Sequence, residues 1–247
     1  KNKIYFDKKF IAAKKANVHV LNHSLHFATA VFEGIRVYNG KSLFLDEHIV
    51  RLLNSSKLME LNVKTSKKKI LKVIKKLIKI NNIREGYVRP IIFRSSHSMS
   101  PETQKCKIHV VVACWKWGNL FKSNAISLDI AKYPKLNKKI SPIEAKSSGS
   151  YQTSVIARVN SFKKKYDDSL MLDVKGNVAE SSACNIFWIS KNKIFTSENH
   201  SILNGITRQA IIKLCKNSKI KIKIGNFKLE KILKAESVFL TGTAAEI

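Results

Sequence analysis

The sequence predicts an α+β fold in two domains. Strand-period and helix-period segments are mixed without strict βαβ alternation. The pattern pauses once, around Trp117-Gly118-Asn119. The chain of 247 residues is long enough for two domains of ordinary size. We place residues 1–119 in a small N-terminal domain and 120–247 in a larger, β-rich one, with an interdomain loop near 117–124.

The elements follow in order. Lys3 to Phe6 and Val18 to Leu21 are short strand candidates. Ala30 to Phe44 reads as a hairpin, with Val31, Ile35 and Val37 in one arm, an Asn39-Gly40 turn, and Ser42-Leu43-Phe44 returning; Asn-Gly is the strongest two-residue hairpin signal. Asp46 is the expected cap of a helix carrying Ile49, Leu52, Leu53 and Leu58 at helical spacing. Ser66 opens a second helix with Ile70, Ile74, Leu77 and Ile78 on one face and lysines opposite, the pattern of a helix that covers a sheet. Tyr87 to Arg94 and Ile108 to Trp115 are strands. In the second domain, strands are expected near Ile126 to Ala131 and Ser169 to Val174. A helix from about Tyr151 to Lys165 should turn Val155, Ile156, Val159 and Phe162 inward. Two strand arms flank Lys191-Asn192-Lys193, a helix runs from Thr207 to about Lys216, and strands follow near Lys219 to Ile224 and Val238 to Thr241.

Composition narrows the function classes. Lys+Arg is 46 against 17 Asp+Glu, a formal net charge of +29. A nucleic-acid binder would gather such charge into a stripe. Here lysines scatter over every segment, alongside abundant isoleucine and asparagine, as an AT-biased coding sequence would produce. The excess reads as a solvated surface. Cys106, Cys114, Cys184 and Cys215 have no metal-like spacing and read as reduced, buried thiols of a cytosolic-type compartment. The histidines form no HExxH pattern, and no metal is expected. No apolar run approaches the roughly 20 residues of a membrane span, and no signal segment opens the chain; the expected location is the cytoplasm. Glycine-rich dinucleotide and P-loop motifs are missing. The chain opens on Lys1 and stops at Ile247, directly after a strand running into a small-residue loop, so it reads as a piece lacking its C-terminal end.

Four segments interrupt the apolar, lysine-rich pattern with small or polar residues. Lys146 lies in Glu144-Ala145-Lys146-Ser147-Ser148-Gly149-Ser150-Tyr151, with no other cation within five positions, a setting where an amine can lose its proton. Glu180 sits in Asn177-Val178-Ala179-Glu180-Ser181-Ser182-Ala183-Cys184-Asn185, a scarce acid that needs a partner if buried. In Asn204-Gly205-Ile206-Thr207-Arg208 a glycine precedes a helix whose free N–H groups suit an anion. Thr241-Gly242-Thr243-Ala244-Ala245 adds hydroxyls and backbone donors. Alone, Lys146 reads as a loop lysine and the Gly205 segment as an ordinary helix cap, while Glu180 reads equally as a turn glutamate facing water. Together they supply an amine, a carboxylate and two anion sites, the set that fits a cofactor carrying an aldehyde, a basic ring nitrogen and a phosphate: pyridoxal 5′-phosphate.

The segments Val31-Phe32-Glu33-Gly34-Ile35-Arg36, Gly86-Tyr87-Val88-Arg89-Pro90, Glu144-Ala145-Lys146 with Tyr151, Gly205-Ile206-Thr207-Arg208 and Gly242-Thr243-Ala244-Ala245-Glu246-Ile247 resemble, in order, those of branched-chain-amino-acid aminotransferases, class IV pyridoxal phosphate enzymes of fold type IV. The resemblance runs from near residue 4 to the last residue. It implies that Lys146 forms the Schiff base and shuttles the proton, Glu180 pairs with the pyridine nitrogen, and Tyr151 bonds the phenolate oxygen. It gives the phosphate to Arg51, Ile206, Thr207 and Thr243. It lines the substrate pocket with Phe32, Tyr87, Trp117 and the Thr243-Ala244-Ala245 loop, with Tyr87 and the loop at the α-carboxylate. Arg89 takes the distal carboxylate of glutamate. The implied reaction is ping-pong transfer of an amino group from leucine, isoleucine or valine to 2-oxoglutarate by a homodimer or dimer-based oligomer. Phe27 and Leu120 stand where bacterial relatives commonly carry tyrosines near Arg89, which leaves the amino donor open. The alternatives are aminodeoxychorismate lyase or D-amino-acid aminotransferase on the same fold and, from another class, a basic nucleic-acid-binding protein.

Overall fold

The computed structural model describes residues 2–247 apart from 97, 104, 122, 124 and 199. Two of these, 122 and 124, fall in the loop expected near 117–124 and so lie outside the described residues. The chain divides into two compact units, Lys1–Gly118 with Ala145–Gly149, and Asn119–Glu144 with Ser150–Ile247.

In the first unit, β1 (Lys3–Phe6) and β2 (Lys9–Ala12) form a hairpin. The strand expected at Val18 to Leu21 does not form. Val18, Val20 and Leu21 are 54%, 68% and 47% exposed: their apolar alternation has no sheet to face, and they lead into α1 (His23–Phe27), capped by the Asn22 side chain accepting from Leu25 N–H. Val31, expected in the first hairpin arm, lies instead in a separate β3 (Val31–Phe32), which pairs with the strand over Gly86–Arg94. β4 (Ile35–Tyr38) and β5 (Lys41–Ser42) realise the expected hairpin with shorter arms. Its turn has φ 48° at Asn39 and 75° at Gly40, the two positive values of a type I′ turn.

α2 (Leu45–Leu58) is capped by Phe44 at φ 50°, without a side-chain cap bond. Asp46 therefore falls in the first turn rather than at the cap, where a carboxylate complements the positive helix end and pairs with Lys67 at 2.7 Å. α3 (Lys67–Ile80) starts as expected, with Ser66 Oγ accepting from Lys69 N–H. β6 (Gly86–Arg94) and β7 (Ile108–Lys116) pair antiparallel along their full length. Among the described residues the sheet order is β2-β1-β7-β6-β4-β5, with β3 also on β6. α3 packs on β1 and β7, and α2 on β3, burying Ile49, Leu52, Ile70, Ile74, Leu77, Val88 and Val112 in one core.

Residues 145–149 join this unit from afar. Ser147 bridges to Val31, Phe32 N–H donates to the Lys146 carbonyl at 3.1 Å, and Ser148 and Gly149 N–H donate to the Ala30 and Ala28 carbonyls at 2.8 and 3.0 Å.

The second unit contains β8 (Leu128–Ile130), α4 (Gln152–Lys163), β9 (Asp168–Leu172), β10 (Val178–Ser181), β11 (Asn185–Ser190), β12 (Lys193–Ser197), α5 (Ile206–Asn217), β13 (Ile222–Gly225), α6 (Leu229–Leu233) and β14 (Ser237–Thr241). Among the described residues they form sheets β10-β9-β8 and β13-β12-β11-β14. Trp188 anchors the core, stacked on Phe195 and edge-on to Phe227.

α4 inverts the expected face. It buries Ser154, Ala157 and Ser161, while Val155, Ile156, Val159 and Phe162 are exposed, Phe162 at 65%. The cause is its approach to β9. Ser161 Oγ meets Ser169 Oγ at 2.6 Å and Ser154 Oγ accepts from Lys135 Nζ at 3.0 Å; large apolar side chains on that face would displace both contacts. The four cysteines are free and buried, and no helix among the described residues is long and apolar enough to cross a membrane.

The α3 core face gives a direct test. Ile74 is fully buried and Lys75 exposed. Ile74→Ala should lower the unfolding free energy by about 2–5 kcal/mol, and Lys75→Ala should change it by less than about 0.5 kcal/mol. Urea midpoints measured side by side check this.

Candidate active site

The first unit assembles one cluster around Lys146. Residue 146 is placed by the bonds to β3 described above and by Ser55 on α2, whose Oγ accepts from its N–H at 3.0 Å. The half-buried Lys146 side chain has its Nζ 5.0 Å from the centre of the Phe32 ring. Arg89 on β6 stacks on the same ring at 4.6 Å and lies 5.6 Å from the Tyr87 ring. Tyr87 in turn packs against Trp117 at 5.2 Å and Trp115 at 5.6 Å. The close approach needs Gly34, because a Cβ there would fall 1.7 Å from the Tyr87 hydroxyl. Arg89 Nε is buried with no hydrogen-bond partner among the described residues.

Arg51, on the inner side of α2, is clamped by Glu33. Its Nε and Nη2 both donate to that carboxylate, the latter at 2.8 Å. His48, one turn earlier, donates from Nδ1 to Glu33 Oε2 at 2.7 Å. Glu33 is fully buried. Burial alone would push its carboxyl up, but hydrogen bonds and charge from Arg51 and His48 hold it at about 2. Lys146 is driven the other way, to about 8, by burial and then by the Arg51 charge, with Arg89 adding and Glu33 and Tyr87 opposing. An amine so poised is neutral often enough to act as nucleophile and base.

The second unit gathers the remaining candidates. β10 carries Glu180, whose Oε2 accepts from Asn185 Nδ2 at 2.9 Å and whose Oε1 pairs with Lys135 Nζ at 2.8 Å. Asn185 also donates to the Leu203 carbonyl at 2.9 Å, and a Cβ on Gly205 would lie 2.1 Å from its Oδ1. Gly205 is thus the close-packed cap of α5, which starts at Ile206 and Thr207. Buried Arg208 supports the preceding loop, donating to Asn204 Oδ1 and the Ser197 carbonyl. Tyr151 stands at the N-terminal end of α4, its ring 6.0 Å from Lys135 Nζ. Thr243, Ala244 and Ala245 form the tip of a tight loop closed by paired bonds between Gly242 and Glu246, beyond buried Thr241 at the end of β14.

Some contributors were not singled out from sequence. Arg36 is buried and donates to the carbonyls of Trp117 and Gly118 at 3.2 and 2.9 Å. Asn185 lay inside a segment already marked by its small residues, and Glu33 inside one quoted for the family resemblance. Lys135 carried no local signal, being one cation among 46. Phe27 stacks on His23 at 4.6 Å in the first unit, and Leu120 lines a cavity of about 900 Å³ in the second, of mixed polar and apolar lining.

Lys146 makes a pH-dependent prediction for the cofactor-free protein. The unfolded chain holds this proton up to the ordinary lysine value of 10.5, the folded chain only to about 8. Between these limits the unfolded state binds more protons, so stability rises with pH, and below about 8 the cost of the buried charge is fully present. Lys146→Met should therefore be the more stable protein near neutral pH, by up to about 3 kcal/mol, with the gain vanishing toward pH 10.5. Urea unfolding at both ends of the window decides; a gain independent of pH would reject it.

The geometry can be set beside known proteins. Residues 30–247 match the amino-transferase class IV family model. A branched-chain-amino-acid aminotransferase of Pseudomonas aeruginosa is 33% identical over 252 residues, covering 99% of this chain and 82% of that protein. The structure of a branched-chain aminotransferase from Thermoproteus uzoniensis with norvaline superposes with TM-score 0.96 at 28% identity, over 100% of this chain and 85% of that one. That of the branched-chain amino acid aminotransferase from Escherichia coli gives 0.93 at 31%, over 99% and 83%. Matched along nearly its whole length in both sequence and fold, the chain belongs to the class IV aminotransferases, among the branched-chain-amino-acid aminotransferases.

Proposed function

We infer that the protein transfers the amino group of leucine, isoleucine or valine to 2-oxoglutarate, and the reverse, with pyridoxal 5′-phosphate as cofactor. The observation that carries this is Lys146, the amine held at about 8 beside two arginines, in a chain of this family. The donor set fits the cofactor: an amine for its aldehyde, a buried carboxylate for its ring nitrogen, and a helix N-terminus with threonine hydroxyls for its phosphate. When bound, the cofactor supplies the aldehyde carbon and the electron-accepting ring.

Roles follow residue by residue. Lys146 is the nucleophilic amine and then the base that moves the substrate Cα proton. Arg51, the N–H groups of Ile206 and Thr207, and Thr243 hold the phosphate. Glu33 and His48 keep Arg51 in one rotamer. Tyr151 serves the phenolate oxygen and Glu180 the ring nitrogen. Phe32, Tyr87 and Trp117 offer aromatic surface to the branched side chain. Tyr87 and the Thr243-Ala244-Ala245 loop receive the α-carboxylate. Arg89, whose Nε is unpartnered among the described residues, is suited to a second carboxylate. The finer readings are a homodimer or dimer-based oligomer and a cytoplasmic location. Lyase and D-amino-acid aminotransferase chemistry would share Lys146 and Glu180, but the relatives described above favour the branched-chain reaction, and family membership accounts for segments that a nucleic-acid reading leaves unexplained.

Purified protein should absorb in the near-visible and produce glutamate from leucine and 2-oxoglutarate. Lys146→Ala should abolish that band and lower turnover by at least about 10³-fold; a colourless wild type would reject the cofactor. Arg89→Ala should raise KM for 2-oxoglutarate about tenfold or more, the worth of one charge-assisted contact, while leaving KM for leucine nearly unchanged. Equal effects on both substrates would remove Arg89 from its role.

A further inference from the structure

Glu180 is not waiting alone for a ring nitrogen. Its carboxylate is already engaged at both oxygens, by Asn185 Nδ2 at 2.9 Å and by Lys135 Nζ at 2.8 Å. Lys135 is 8% exposed, an unusual place for a lysine in a chain whose other cations are mostly on the surface. Three elements fix it. Its own N–H donates to the Leu172 carbonyl at the end of β9. Its Nζ donates to Ser154 Oγ on α4 at 3.0 Å, which is why α4 turns a serine inward. The third contact is Glu180 on β10.

We propose that Lys135 is a positioning residue, which holds the Glu180 carboxylate in one orientation and balances its charge so that it can accept the N–H of the cofactor's pyridine ring. This rests on the reading of Glu180 as the ring-nitrogen partner. An ionised carboxylate has about four acceptor sites, so two described contacts leave room for a third donor. Burial acts to strip the Lys135 ammonium of its proton, yet the adjoining Glu180 charge and hydrogen bond outweigh it, with smaller help from Tyr151 and Asp168, and its titration is pushed up. Arg208 also faces Glu180 electrostatically, but its Nη1 and Nη2 donate to Asn204 and Ser197, so it adds charge without fixing the carboxylate. Asn185 can orient one oxygen but carries no charge.

The test uses the holoenzyme and its reconstitution with pyridoxal 5′-phosphate. Four variants are compared with wild type: Lys135→Met, Lys135→Arg, Glu180→Gln, and the double Lys135→Met/Glu180→Gln. Cofactor dissociation constants and the visible spectrum of the bound cofactor are read, with unfolding midpoints of the cofactor-free proteins. Lys135→Met should weaken cofactor binding about tenfold, the order seen when an outer partner that orients a ligand is removed, and should alter the spectrum. Lys135→Arg should restore both. The double variant should bind no more weakly than Glu180→Gln alone, because the lysine acts only through that carboxylate. It also removes both buried charges together, which keeps it foldable if the single methionine variant is not. Effects of Lys135→Met and Glu180→Gln that add in the double variant would overturn the proposal, as would a Lys135→Met protein with unchanged affinity and spectrum while Glu180→Gln is impaired. A Glu180→Gln protein identical to wild type would instead overturn the assignment of Glu180, and this proposal with it.

Discussion

The first unit depends on a backbone seam. Residues 145–149 are more than a hundred positions away from residues 28–32 in sequence, yet four contacts align them: Gly149 to Ala28, Ser148 to Ala30, Ser147 opposite Val31, and Phe32 to Lys146. Main-chain bonds set register, and a slip of one residue would turn the lysine to the other face. The seam thus decides that Lys146, and not Ala145 or Ser147, meets the Phe32 ring. Loop closure over that separation is entropically costly. It is offset because Val31 and Ile35 are fully buried in the sheet core and Ser55 on α2 receives the Lys146 N–H.

From that placement the electrostatics follow. A lysine desolvated beside Arg51 and Arg89 must give up affinity for its proton, and Glu33 limits how far. Glu33 can be buried only because Arg51 and His48 satisfy it. The second unit solves the mirror problem: a buried carboxylate, Glu180, held by a buried lysine and an asparagine. In both units a buried carboxylate is kept by a cation reached from a different element. Such pairs add little to net stability, and here, together with His48 and Asn185, they occupy both oxygens of each carboxylate.

Much of this was legible in the sequence. The Asn39-Gly40 turn, the Ser66 cap, the α3 face and β6, β7, β11 and β12 follow from local chemistry. The failures share one cause, which is that local pattern does not know its neighbours. Val18 to Leu21 alternate like a strand but have no partner strand. Asp46 has a capping side chain, yet Phe44 takes the cap in a left-handed conformation. The α4 stripe is apolar by period, while β9 and Lys135 demand serines. Lys135 itself was hidden among identical residues, and only the fold distinguishes a lysine beneath a helix from one on its surface.

The site segments were legible for a physical reason that the structure now supplies. Side chains in these segments are packed against glycine backbone, where a Cβ would collide. Gly34 admits the Tyr87 hydroxyl, Gly205 admits the Asn185 amide that holds Glu180, and Gly242 lies against Cys184, where a Cβ would come within 3.1 Å of Sγ. A core position tolerates many apolar side chains that fill the same volume. A position at such a contact tolerates no side chain at all. Small residues interrupting an apolar, lysine-rich chain therefore mark where side chains must be held against the main chain.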